Sequence, residues 1–325
     1  MIKTHLAIWI TSSALLSGCS FMAVQTAPAK KAATTRSEAA MRSDALFWQT
    51  LHNGDYEGIG RALQANKAAY LHAPDDAVTA ARVGFLHIWR LAENARLDTL
   101  PPDITDDAVM ARKYFEEAHA LDPSDARVQG FLASSLLAEG SIHKDQALTR
   151  KGYYIMRDAI DAWPEFNLFT AGYVMSPQPR DSERFREALE WQWRNIEECV
   201  GVRVDRRQPT MAPYMNKAAS AEVKNRACWN SAIAPHNFEG FFLNMGDMLV
   251  KSGDWQTAQK IYANAKLSPN YGEWKFSDVL ERRVERAQAN VEAFNAALPS
   301  PRSKAPGEDV IMNRSRFACV ACHQR

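Results

Sequence analysis

From about Ala45 onward, apolar residues recur at helical intervals, and alternating runs of β-branched residues are missing. Phe242, Met245 and Leu249 lie three and four residues apart and predict one buried helical stripe. Gly253-Asp254 predicts a turn. Ala258, Tyr262 and Ala265 then predict a second helix, whose alanines allow close approach to the first while Tyr262 fills the gap. Pro269 stops it.

Looser copies of this pairing lie upstream. Val78–Ala95 and the run carrying Ala111, Phe115, Ala118 and Pro123 form one, across a long insert at 96–107. Ala126–Gly140 and Gly152–Asn167 form another, with Ala159 and Pro164 in register and an insert between the helices. The weakest spans Phe47–Asp76, where Gly54-Asp55-Tyr56 parallels Gly253-Asp254-Trp255. Between the copies, Asp181 or Ser182 predicts a cap for a helix whose stripe is Phe185, Leu189, Trp193, Ile196 and Cys199. Residues 201–240 have weak periodicity and three prolines. A loop that long is functional or tied down.

The order Gly246, Gly253, Trp255, Ala258, Tyr262, Ala265, Pro269 resembles the tetratricopeptide (TPR) family, over roughly 45–175 and 238–295. The resemblance implies an all-α solenoid of helical hairpins with insertions, whose repeats dock a protein partner. An irregular helical bundle is the alternative.

The chain opens with a basic Lys3, the apolar run Leu6–Leu16 and the string Leu16-Ser17-Gly18-Cys19-Ser20. This is a secretory signal, too short to span a membrane as a mature helix. It resembles a bacterial lipoprotein signal. That likeness implies lipidation at Cys19 and, with Ser20 next, sorting to the outer membrane, facing the periplasm. The expected organisation is signal peptide 1–18, lipidated flexible tether 19–44, TPR-like domain 45–296, and linker with terminal tail 297–325.

The chain carries 39 basic and 38 acidic residues, and the signal peptide removes only Lys3, so the mature balance is zero. Nothing in that balance points to a nucleic-acid partner or a polybasic membrane surface, and neither is expected. Lipid alone is the expected membrane contact.

Export to an oxidising compartment changes how the five cysteines read. Cys199 and Cys228 form a candidate disulfide; the alternative is two buried thiols. Cys319, Cys322 and His323 make a C-x-x-C-H string, the attachment pattern of c-type haem. Each thiol adds across a haem vinyl group to form a thioether, and the two-residue spacer matches the separation of the vinyls. The adjacent histidine reaches the iron as proximal ligand. Here the string resembles the cytochrome c family, with one difference. In small soluble cytochromes the sixth ligand comes from downstream of the motif, whereas only Gln324 and Arg325 follow here. The haem is therefore expected against the helical body, against a partner, or on an exposed tail. Its sixth ligand is expected from upstream, another molecule or water. His236, Met312 and His87 are weak candidates for that ligand, and Met211 and Met215 weaker ones.

These readings predict a lipid-anchored electron carrier with one covalent haem c. One alternative is a non-redox TPR scaffold whose terminal cysteines form a disulfide or metal clip. A haem peroxidase-like enzyme is the other, but no organised set of distal acid–base residues is legible, and a carrier or scaffold is favoured over a catalyst.

Overall fold

The computed structural model describes residues 22–23, 25–218, 227–228, 231–296 and 310–325. The expected signal peptide, Cys19 and residues 297–309 of the linker lie outside the described residues.

The regular structure among the described residues is helical. The elements are α1 (Glu38–His52), α2 (Ile59–His72), α3 (Ala77–Ala92), α4 (Asp106–Leu121), α5 (Ala126–His143), α6 (Gln146–Ala162), α7 (Pro164–Met175) and α8 (Glu183–Val200). A short α9 (Met215–Ala218) precedes α10 (Asn237–Ser252), α11 (Trp255–Ala263), α12 (Ser277–Glu285), α13 (Asn290–Asn295) and α14 (Val320–His323). None of them is long and apolar enough to cross a membrane.

Local chemistry fixes the helix ends. Asp76, Asp125, Asp145, Ser182 and Asp254 accept first-turn N–H groups of α3, α5, α6, α8 and α11. Each such cap is worth about 1 kcal/mol. Gly201 and Gly253 close α8 and α10 at φ 74° and 101°, a backbone region that favours glycine.

Helices adjacent in the chain pack as pairs: α1 with α2, α3 with α4, α5 with α6, α7 with α8, and α10 with α11. Contacts of α1 with α3 and of α5 with α7 stack pair on pair, the pattern of an all-α helical-repeat fold. Small residues permit the closest approaches. A Cβ at Gly246 would overlap the Tyr262 ring, and one at Gly84 would press on Phe115. Tyr262 and Phe115 are both fully buried, and burying an aromatic side chain of this kind stabilises by about 2–3 kcal/mol.

Three expectations need correction. Helix α1 begins inside the segment expected as tether, because the Ser37 hydroxyl accepts from the Ala40 N–H and caps it. The insert expected within the third pair is absent. Ser141–His143 continue α5, and Asp145 caps α6 after a single left-handed residue, Lys144. The segment after that pair supplies a further pair, α7 with α8, held close because Gly172 leaves room for Gln192. The stripe along α8 is buried as expected, apart from half-buried Leu189.

Helix α10 is buried almost all round, including Glu239, Asp247 and Lys251. Its Phe242–Met245–Leu249 stripe accounts for one side of that burial. Much of the rest comes from residues 310–325, which pack along α10 and reach α1. The Arg325 N–H donates to the His52 carbonyl at 2.9 Å, and Gln324 Nε2 donates to the Asn53 carbonyl at 3.0 Å. The chain's last residues therefore tie its first helix pair to α10.

Candidate functional site

The terminal segment is held in place by side chains from distant helices. At its start, Met312 N–H donates to Asp247 Oδ2 at 2.8 Å, and Arg283 Nη2 donates to the Val310 carbonyl at 2.6 Å. Asp247 and Arg283 are themselves a buried ion pair at 3.2 Å, and Tyr262 donates to Asp247 at 2.7 Å. Next, Asn313 Nδ2 donates to the Tyr173 carbonyl at 2.8 Å, and the Tyr173 hydroxyl donates to the Ala318 carbonyl at 2.6 Å.

Around the motif the hold tightens. Glu93 Oε1 accepts from Cys319 N–H at 2.7 Å and from Val320 N–H at 2.9 Å. Its other oxygen pairs with Arg96 Nε at 2.7 Å. Trp274 Nε1 donates to the Ala321 carbonyl at 2.7 Å, and His236 N–H donates to the Cys322 carbonyl at 3.0 Å. The Cys322 sulfur lies against Gly240 of α10, where any Cβ would overlap it.

Cys319, Cys322 and His323 all line a cavity of about 1280 Å³ among the helices. Its lining is mostly apolar and includes Trp48, Phe85, Trp89, Phe169, Phe241 and Phe242. The volume exceeds the roughly 300–1,000 Å³ typical of small-molecule sites.

Burial dominates the electrostatics of the motif. Both thiols are free. Burial pushes Cys322 up to about 12, helped by the Glu239 charge. Burial and then Glu93 hold Cys319 well above the ordinary thiol range. Burial lowers His323 to about 4, so its imidazole is neutral at neutral pH. His323 Nδ1 lies 3.3 Å from the Ile233 carbonyl. With Nδ1 as donor, Nε2 keeps its lone pair, and the carbonyl fixes the ring's orientation as it would for a metal-binding imidazole. His52 Nε2 meets the same carbonyl at 3.2 Å. Two thiols, one oriented neutral imidazole and a large apolar cavity beside them fit a c-type haem.

The motif itself belongs to the helical body: it packs on α10 and is bonded to Glu93, Trp274 and His236. The weak candidates for a sixth ligand fare differently. His87 is buried beside Asp107, with Nδ1 2.6 Å from Oδ1. His236 is buried against Glu239 at 3.1 Å, and Met312 is fully buried in the core. None of the three lies on the cavity wall, where Met211 does. Among the described residues, no group of three His, Cys, Asp or Glu is arranged to hold a bare metal ion. Cys199 and Cys228 are joined by a disulfide, with Cα atoms 5.7 Å apart. The long loop is fastened again by Asn264, which accepts from Met211 N–H and donates to the Pro209 carbonyl, each at 2.7 Å.

Sequence reasoning missed Glu93, Tyr173, Gly240, Asp247, Trp274 and Arg283. One signal was available. Glu93 closes the C-terminal end of α3, where the helix dipole disfavours an acid.

No protein-family model matches the chain, and neither a curated protein nor a solved structure matches it significantly.

Proposed function

We propose that this protein is a lipid-anchored, periplasm-facing electron carrier of the outer membrane. It holds one covalent haem c and exchanges single electrons with a protein partner docked on its helical repeats. One observation carries this reading. The C-x-x-C-H motif forms part of the wall of a large apolar cavity, and its histidine is oriented by a backbone carbonyl.

Cys319 and Cys322 are the groups that would form the thioethers. Each S–H adds across a vinyl double bond, sulfur to one carbon and hydrogen to the next. His323 Nε2 would bind the iron. When bound, the haem supplies one-electron chemistry at a potential set by its ligands and burial. The protein's part is to fix the motif in the helical body through Glu93, Trp274 and Gly240. The anchor and its location rest on the Leu16–Ser20 signal.

The test is a pyridine haemochrome spectrum with intact mass, on protein expressed with a cytochrome c maturation system. One covalent haem per chain, absent from the Cys319→Ser/Cys322→Ser variant, is the expected result. No haem despite competent maturation would leave a lipid-anchored helical scaffold.

A further inference from the structure

The cavity carries a second chemical feature. Arg314 lies on its wall, five residues before Cys319 in the sequence. Its Nη2 donates to the Pro177 carbonyl at 3.1 Å. Beside it, Lys251 of α10 donates to the Ser176 carbonyl at 2.9 Å and to the Gln178 carbonyl at 2.7 Å. Among the described residues, neither cation has a carboxylate partner. Burial and then the Arg314 charge push Lys251 down to about 8, and burial alone lowers Arg314. By contrast, buried Arg283 is paired with Asp247, and Arg82 with Asp44.

Two cations thus converge on three successive carbonyls just past the end of α7. Helix C-termini attract cations, and a capping role is the simpler account. It does not account for both. Lys251 already satisfies two of the carbonyls, while Arg314 gives the third one of its five donors and lines the cavity. Partly buried charge without a counter-ion is costly, so the arrangement calls for an anion in the cavity.

We propose that Arg314, backed by Lys251, is the anion seat of the cavity, and that it takes a carboxylate of the ligand held by Cys319, Cys322 and His323. On the haem reading, on which this inference rests, that carboxylate is a haem propionate. Arg314 pairs with it as a planar fork, and Lys251 holds Arg314 in place by keeping the Ser176–Gln178 turn closed around it.

The experiment uses the full chain matured with haem, as wild type, Arg314→Gln, Arg314→Lys and Lys251→Met. Covalent haem per chain, midpoint potential and Tm are read on each. The expected result is one haem per chain throughout. The potential falls in Arg314→Gln, because loss of a neighbouring cation favours the ferric state, and Arg314→Lys restores it toward wild type. A wild-type potential in Arg314→Gln, even with a lower Tm, overturns the proposal and leaves Arg314 as a helix cap. If Arg314→Gln does not fold, Lys251→Met decides: a lowered potential supports the anion seat, and an unchanged one overturns it. Wild type without covalent haem removes the haem reading and this inference together. Wild type with haem but an insensitive potential removes this inference alone.

Discussion

Glu93 and Cys319 are 226 residues apart in the chain, and a carboxylate oxygen of one lies 2.7 Å from the backbone nitrogen of the other. The same oxygen takes the Val320 N–H, so one buried side chain caps the turn that carries the whole motif. Glu93→Ala leaves two buried N–H groups without acceptors and should cost about 2–3 kcal/mol. Glu93→Gln keeps an acceptor and should lose less. Chemical denaturation, with haem yield after maturation, measures both. Wild-type stability and yield in Glu93→Ala would show that the cap is dispensable.

Gly240 permits the Cys322 sulfur to rest on α10. Gly240→Val should overpack that contact by about 1–3 kcal/mol and push the motif off the helix. The expected readout is faster alkylation of Cys322 in haem-free protein, with reduced haem attachment. Unchanged alkylation would mean that α10 shifts to make room.

Asp247 and Arg283 form a buried pair that also grips Met312 and Val310. Removing one partner leaves an uncompensated buried charge. Arg283→Met should therefore destabilise by about 3–5 kcal/mol, and Asp247→Leu in the same chain should recover part of that loss. A double-mutant cycle checks it; purely additive losses would contradict the coupling.

The depressed Lys251 fixes a sign for pH dependence. Its folded value is about 8 against an ordinary 10.5, so between these values the unfolded chain binds the extra proton. Stability should therefore rise with pH across that window. Cys319 and Cys322 act oppositely, because their raised values leave the unfolded chain ionised first. The Cys319→Ser/Cys322→Ser chain removes that contribution. Its denaturation midpoint should increase from pH about 7.5 to about 9.5, and Lys251→Met should flatten the increase.

Much of the helical body was legible in advance because its causes are local. The Phe242–Met245–Leu249 stripe, the Gly253-Asp254 turn and the Tyr262–Gly246 fit follow from 3.6-residue periodicity and from which residues tolerate a turn or a close approach. The α7–α8 pair was harder to read, since Asn167 and Gln192 are polar and still fully buried. They are buried because they bond to the Ala126, Ala159 and Phe169 carbonyls, which no periodicity reports.

The sequence by itself determined the all-α class, the pairing of neighbouring helices and the motif Cys319-Cys322-His323, because helix periodicity and motif spacing are short-range properties. Only the tertiary structure decided where the motif lies. Its backbone groups could be satisfied by water on a free tail or by Glu93, Trp274 and His236 in the body, and nothing within residues 310–325 distinguishes the two. The choice rests on bonds that close loops of tens to hundreds of residues, formed once the helix pairs have carried Glu93, His236 and Trp274 to the motif.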